Sequence, residues 1–214
     1  MIPSRIRVKF CGLTRAEDVR LAVELGVDAI GFVLTPRSRR YIEPAAARAL
    51  RDLLPPFVSA VALCMDDDAA WVRQVVATLQ PDLLQFHGSE DAAFAGQFDR
   101  PYLKAVPMAS VVDVEGYAAA HPRACGFLLD SHASGAAGGS GDAFDWRRVP
   151  TALERPLVLA GGLEPANVAR AIALARPFAV DVSSGIESVP GIKDPARMRA
   201  FVAAVQAYRG DVFP

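Results

Sequence analysis

Eight short apolar runs, IRVKF, AIGFVL, VSAVAL, LLQF, YLKAV, CGFLL, LVLA and FAVDV, recur along the chain, each ending at a small or polar residue. Between them lie segments of helical period, among them RAEDVRLAVELG, PAAARALRDLL, AAWVRQVVATL, EDAAFAGQF and PANVARAIALA, and ARMRAFVAAVQAY follows the last run. Strands that are apolar on both faces belong to parallel sheets covered by helices. Eight strand-helix units fitted into 214 residues therefore predict one (β/α)8 barrel, a TIM barrel, over residues 1–214. The rival is an open doubly wound sheet. It ordinarily needs fewer strands, and no GxGxxG follows the first run here.

Local signals agree with helices between the runs. Thr14, with Glu17 three residues on, has the form of a capping box, Pro165 suits a first helical position, and Gly26 suits the position just past a helix end. The irregular stretch SHASGAAGGSGDA, residues 131–143, follows the sixth run and reads as an active-site loop. With a net charge of −1, the composition offers no basic field for nucleic acid. No apolar run reaches membrane-spanning length and no leader-like segment opens the chain, so a cytoplasmic protein without membrane contact is expected. Three cysteines at wide spacing match neither a disulfide framework nor a metal site, and free thiols are expected. A monomer is allowed.

Chemistry in such a barrel gathers at the C-terminal ends of the strands. Cys11, Arg40, His87, Asp130, Gly161, Gly162, Asp181, Ser183, Ser184 and Gly185 all fall there. Each also has a plainer reading. Cys11 could be a small buried hydrophobe, as Cys64 and Cys125 are taken to be, although a thiol just before a helix start is placed to become a thiolate. Asp130 could cap a turn, RSRR at 37–40 could be a solvated face, and His87 could be a hydrogen-bonded rim residue; His121 and His132 carry no assignment. The glycines say more. AGGL at 160–163 and SSG at 183–185 follow the seventh and eighth runs, where backbone N–H groups can approach a phosphate. A phosphate ester is the expected ligand.

The segments KFCGLTRAEDV, GFVLTPRSRRYI, LLQFHG, LLDSHASGAAGGSGDAFDW, LVLAGGLEPANV and FAVDVSSGIESVPGIKD, in this order and spacing, closely resemble the phosphoribosylanthranilate isomerases of tryptophan biosynthesis. The resemblance runs from Arg7 to the final helix; Phe10, Phe86 and ALCMDDD after the third run depart from the usual pattern. It implies a cofactor-free Amadori rearrangement of a small phosphorylated substrate, with Cys11 as general base and Asp130 as general acid. It also implies that Arg40 holds the anthranilate carboxylate, that His87 lies near the aromatic ring and that Asp181 binds the sugar or its amine. Gly161, Gly162, Ser183, Ser184 and Gly185 would then cradle the phosphate. On this reading the first helix N-terminus favours the Cys11 thiolate, and burial under the 131–143 loop keeps Asp130 protonated. Two alternatives stay open. One is a related phosphate-binding barrel enzyme, such as indole-glycerol-phosphate synthase; the other is a barrel that binds a phosphosugar without turning it over.

Overall fold

In the computed structural model, the described residues are 5–132, 144–150 and 153–208. Most of the 131–143 loop lies outside them, and so does the expectation that it covers Asp130. Eight parallel strands close into a barrel in chain order: β1 (Arg7–Cys11), β2 (Ala29–Val33), β3 (Ser59–Cys64), β4 (Leu83–Phe86), β5 (Tyr102–Pro107), β6 (Gly126–Asp130), β7 (Leu157–Leu159) and β8 (Ala179–Val182). Each predicted run lies within about a residue of its strand. Their apolar character follows from position, because β5 to β8 are buried along their whole length.

The helices are α1 (Ala16–Glu24), α2 (Pro44–Arg51), α3 (Ala69–Leu79), α4 (Ala92–Ala95), α5 (Val114–Ala119), α6 (Val168–Ala175) and α7 (Pro195–Ala207). Between β6 and β7 the described residues hold only a 3₁₀ turn, Trp146–Arg148. Gly26, at φ +75°, closes α1 as expected: its N–H bonds Val23 O and that of Val27 bonds Ala22 O, a Schellman pattern. The capping box is not formed. Arg15 is the N-cap of α1, and the Thr14 hydroxyl instead donates to Gly191 O at 2.6 Å. Pro165 also misses its predicted place, since it sits in the turn before α6, whose first residue is Val168.

Side chains alternate between the barrel interior and the helix layer. Phe10 points outward, edge-on to Phe201 of α7 at 6.1 Å, and Phe86 joins Phe94, Phe98 and Tyr102 in an aromatic cluster. That explains two departures from the aliphatic pattern, as rings fill the space between barrel and helices. In the third segment every acid has a local partner: Asp66 accepts from Ser89, Asp67 from Thr35 and Met65, and Asp68 from Trp71 N at the start of α3. An antiparallel hairpin, β9 (Glu187–Val189) with β10 (Ile192–Lys193), follows β8 and was not predicted. No described helix is long and apolar enough to cross a membrane.

Candidate active site

At the C-terminal end of the barrel a cavity of about 260 Å³ opens among the strand ends. Cys11, Arg40, His87, Asp130, Gly161, Gly162, Asp181, Ser183 and Ser184 all line it. Gly185 does not.

Cys11 closes β1, 5% exposed, opposite Gly31 of β2. Two residues back on the same face, Lys9 is 4% exposed and donates to Asp181 Oδ1 of β8 at 2.8 Å. Burial pushes the Cys11 thiol above its ordinary pKa; Asp181 adds to that, and Lys9 and Lys193 oppose it. Beside the α1 N-terminus that the sequence pointed to, the structure thus adds two cations, Lys9 and Lys193, that favour the thiolate. The residue at the head of α1 is Arg15, which braces Asp18 and Lys193 O. The cations that act on the sulfur are Lys9 of β1, Lys193 of β10 and Arg40 of the loop after β2.

Asp130 closes β6 and is 6% exposed. Its Oδ2 lies 3.2 Å from His87 Nε2 and 3.7 Å from His132 Nδ1. Neither contact meets the geometry of a well-formed hydrogen bond. Burial would raise this carboxyl, but the neighbouring His132 and His87 outweigh it and hold Asp130 well below the usual carboxylate range. Among the described residues these neighbours favour the carboxylate form; most of the loop expected to bury Asp130 lies outside them. Gln85 Nε2 lies 3.2 Å from His87 Nδ1, which fits an Nε2–H tautomer turned toward Asp130. The two imidazoles stack at 4.4 Å and 25°. A nitrogen of each ring and an oxygen of the Asp130 carboxylate lie within 4.8 Å of one another, a spacing that the ligands of a metal ion also have.

Arg40 is clamped by Glu187, with Nε to Oε1 at 2.9 Å and Nη2 to Oε2 at 2.8 Å. Glu187 also takes Lys193 Nζ at 2.8 Å. The forked pair raises the already high Arg40 pKa. The guanidinium edge at Nη1 remains for an anion.

Gly161 and Gly162, at φ +77° and +65°, turn the chain after β7 through a region that other residues avoid. Asn167 Nδ2 donates to the Gly162 carbonyl at 2.8 Å. Behind the rim, a Cβ on Gly185 would lie 1.9 Å from Leu163 O, a backbone atom of the neighbouring loop. Gly185 thus lets the loops after β7 and β8 pack against each other. Gly185→Ala is expected to force the two loops apart, raising KM and weakening inhibition by inorganic phosphate together. Unchanged phosphate inhibition in a folded variant would place the anion elsewhere.

Lys9, Gln85, His132, Glu187 and Lys193 were missed in the sequence. A signal existed for Lys9: a charge inside an apolar strand, two residues before a candidate cysteine, shares its face. His132 follows Asp130 by two, where loop geometry rather than period decides the contact.

Residues 8–204 match the family described as N-(5'phosphoribosyl)anthranilate (PRA) isomerase. An N-(5'-phosphoribosyl)anthranilate isomerase of Stenotrophomonas maltophilia is 54% identical over 204 residues, 94% of each chain. The crystal structure of phosphoribosyl anthranilate isomerase from Thermus thermophilus superposes with a TM-score of 0.85 at 38% identity, covering 95% of this chain and 100% of the other. A phosphoribosyl anthranilate isomerase in complex with reduced 1-(o-carboxyphenylamino)-1-deoxyribulose 5-phosphate superposes with a TM-score of 0.78 at 37% identity, covering 94% and 99%.

Proposed function

The chain belongs to the N-(5'-phosphoribosyl)anthranilate isomerase family, and from that premise we propose that Cys11 is its general base and Asp130 its general acid. The reaction is the Amadori rearrangement of N-(5'-phosphoribosyl)anthranilate to 1-(2-carboxyphenylamino)-1-deoxyribulose 5-phosphate, a step of tryptophan biosynthesis. The observation that supports the two roles best is that a buried thiol and a buried carboxyl, from the ends of β1 and β6, line one cavity.

Protonated Asp130 gives its proton to the furanose ring oxygen, and the C1–O bond opens to a Schiff base. The Cys11 thiolate then takes the proton from sugar C2, leaving an enolamine that ketonises by protonation at C1. Each positioned proton transfer contributes about 10² to 10⁴ in rate. The substrate's anthranilate carboxylate pairs with the open edge of Arg40, its ring lies toward His87, and Asp181 meets the sugar or its amine. Backbone groups of Gly161, Gly162, Ser183 and Ser184 receive the phosphate, with Gly185 behind them. All of these groups lie on one chain, so a monomer is sufficient for the site.

Arg40→Ala is expected to raise KM by about 10- to 100-fold, the range of a lost charged hydrogen bond of about 1.5–3 kcal/mol. Arg40→Lys recovers part of that, since an ammonium lacks the planar fork. A KM unchanged in both variants would refute the assignment. The function is tested by complementing a tryptophan auxotroph lacking this step and by following loss of fluorescence from freshly formed phosphoribosylanthranilate. Folded protein that binds this substrate without turnover would overturn it.

A further inference from the structure

Two buried cations, Lys9 and Lys193, stand near Cys11, and the proton transfers described above give neither of them a task. Lys193 is committed elsewhere, donating to Glu187 Oε1 at 2.8 Å and to Ser183 O at 3.1 Å. Lys9 donates to Asp181 Oδ1 at 2.8 Å and faces the Cys11 sulfur. Its ammonium shares a crowded spot with the sulfur over Gly31: a Cβ added there would lie 2.8 Å from Cys11 Sγ and 3.1 Å from Lys9 Nζ. The glycine opposite Cys11 leaves the room that this approach needs.

We propose that Lys9 is a positioning residue for the reaction: anchored by Asp181, its ammonium is the counter-ion that lets the buried Cys11 sulfur lose its proton. This rests on the reading of Cys11 as the base. A thiolate sealed from water is costly unless a charge faces it, and an ammonium within a few ångströms is the least expensive companion available. The charged groups facing the sulfur are Lys9 from β1, Asp181 from β8, Lys193 from β10 and Arg40 from the loop after β2. Asp181 has two effects. It disfavours the thiolate directly, yet it keeps Lys9 charged: burial pulls the lysine down, and Asp181 together with the sulfur more than restores it. The Lys9–Asp181 pair also ties β1 to β8 where the barrel closes, at the register Lys9↔Asp181. The same contact that closes the sheet thus places the cation beside the sulfur proposed as the base.

The test reads the thiol and the turnover separately. The pH dependence of iodoacetamide alkylation at Cys11, located by peptide mapping in the ligand-free protein, is compared between Asp181→Asn and the double variant Lys9→Met/Asp181→Asn. The pair differs only in the lysine and leaves no buried carboxylate unpaired. Lys9→Gln, which keeps a donor for Asp181, and Lys9→Arg, which keeps the charge, are measured beside the wild type, with thermal melts for all. Removal of the charge is expected to slow alkylation at least tenfold at a given pH and to move its midpoint upward, in the double variant and in Lys9→Gln alike. Lys9→Arg should stay near the wild-type midpoint. Turnover by Lys9→Gln should fall mainly in kcat. Midpoints that do not move in the neutral variants, or that move equally in Lys9→Arg, would overturn the proposal. A shifted midpoint with wild-type kcat would leave Lys9 as the counter-ion and instead overturn the role of Cys11 as base.

Discussion

Cys11→Ser is expected to lower kcat by about 10² to 10⁴ while KM changes little. Serine is nearly the same size, so the well-packed wall at the end of β1 is kept. What changes is acidity. Burial already holds the Cys11 thiol above its ordinary pKa, and a hydroxyl in the same place is far harder to ionise. Lys9 can offset the cost for a thiolate but not for an alkoxide. The measurement is steady-state loss of phosphoribosylanthranilate fluorescence, with a thermal melt to confirm folding. Near-normal kcat in the serine variant would remove Cys11 from the chemistry.

Asp130→Asn is expected to fall by a similar factor, because the amide keeps the shape of the side chain but has no acidic proton to give the ring oxygen. The wild type also carries a pH signature. Unperturbed thiol and carboxyl values of about 8.5 and 3.9 differ by about 4.6 units, or about 6 kcal/mol, against the reactive thiolate-acid form. Here burial raises the first, and His132 and His87 lower the second, so the free enzyme widens the gap. When two groups react in the reverse of their order of acidity, the reactive fraction is small but constant between the two pKa values. It falls below the lower one as Cys11 takes a proton, and above the higher one as Asp130 loses its own. The kcat/KM profile should therefore be flat from below the ordinary carboxylate range to above the ordinary thiol range. A steep limb near neutrality, set by groups other than the substrate's phosphate, would contradict this ordering. Substrate anions raise the Asp130 carboxyl when bound and raise the Cys11 thiol as well, so they assist the acid and oppose the thiolate.

The barrel was legible in the sequence because parallel strands buried on both faces write themselves as unbroken apolar runs. Cys11, Asp130 and the glycine loops were legible for a related reason: they interrupt those runs at the strand ends, where the topology leaves one rim. What was misread depends on contacts distant in sequence. Thr14 has the local form of a cap, but its hydroxyl finds Gly191 on the hairpin after β8. The two imidazoles beside Asp130, one from the end of β4 and one two residues downstream, were not foreseen, and they favour its carboxylate form. Arg40 was correctly brought to the rim, but its partner Glu187 sits in the same hairpin that captures Thr14. Nothing local in RSRR points to that contact.

The proposal that Cys11 is the base is tested most directly by alkylating the protein in a Cys125→Ser background, where Cys64 stays buried in the core. Iodoacetamide is added at alkaline pH, and peptide mapping and turnover are followed on the same samples. Activity should fall in proportion to carboxamidomethyl-Cys11, with a reduced product analogue slowing both equally. Full turnover by protein whose Cys11 is completely alkylated would contradict it.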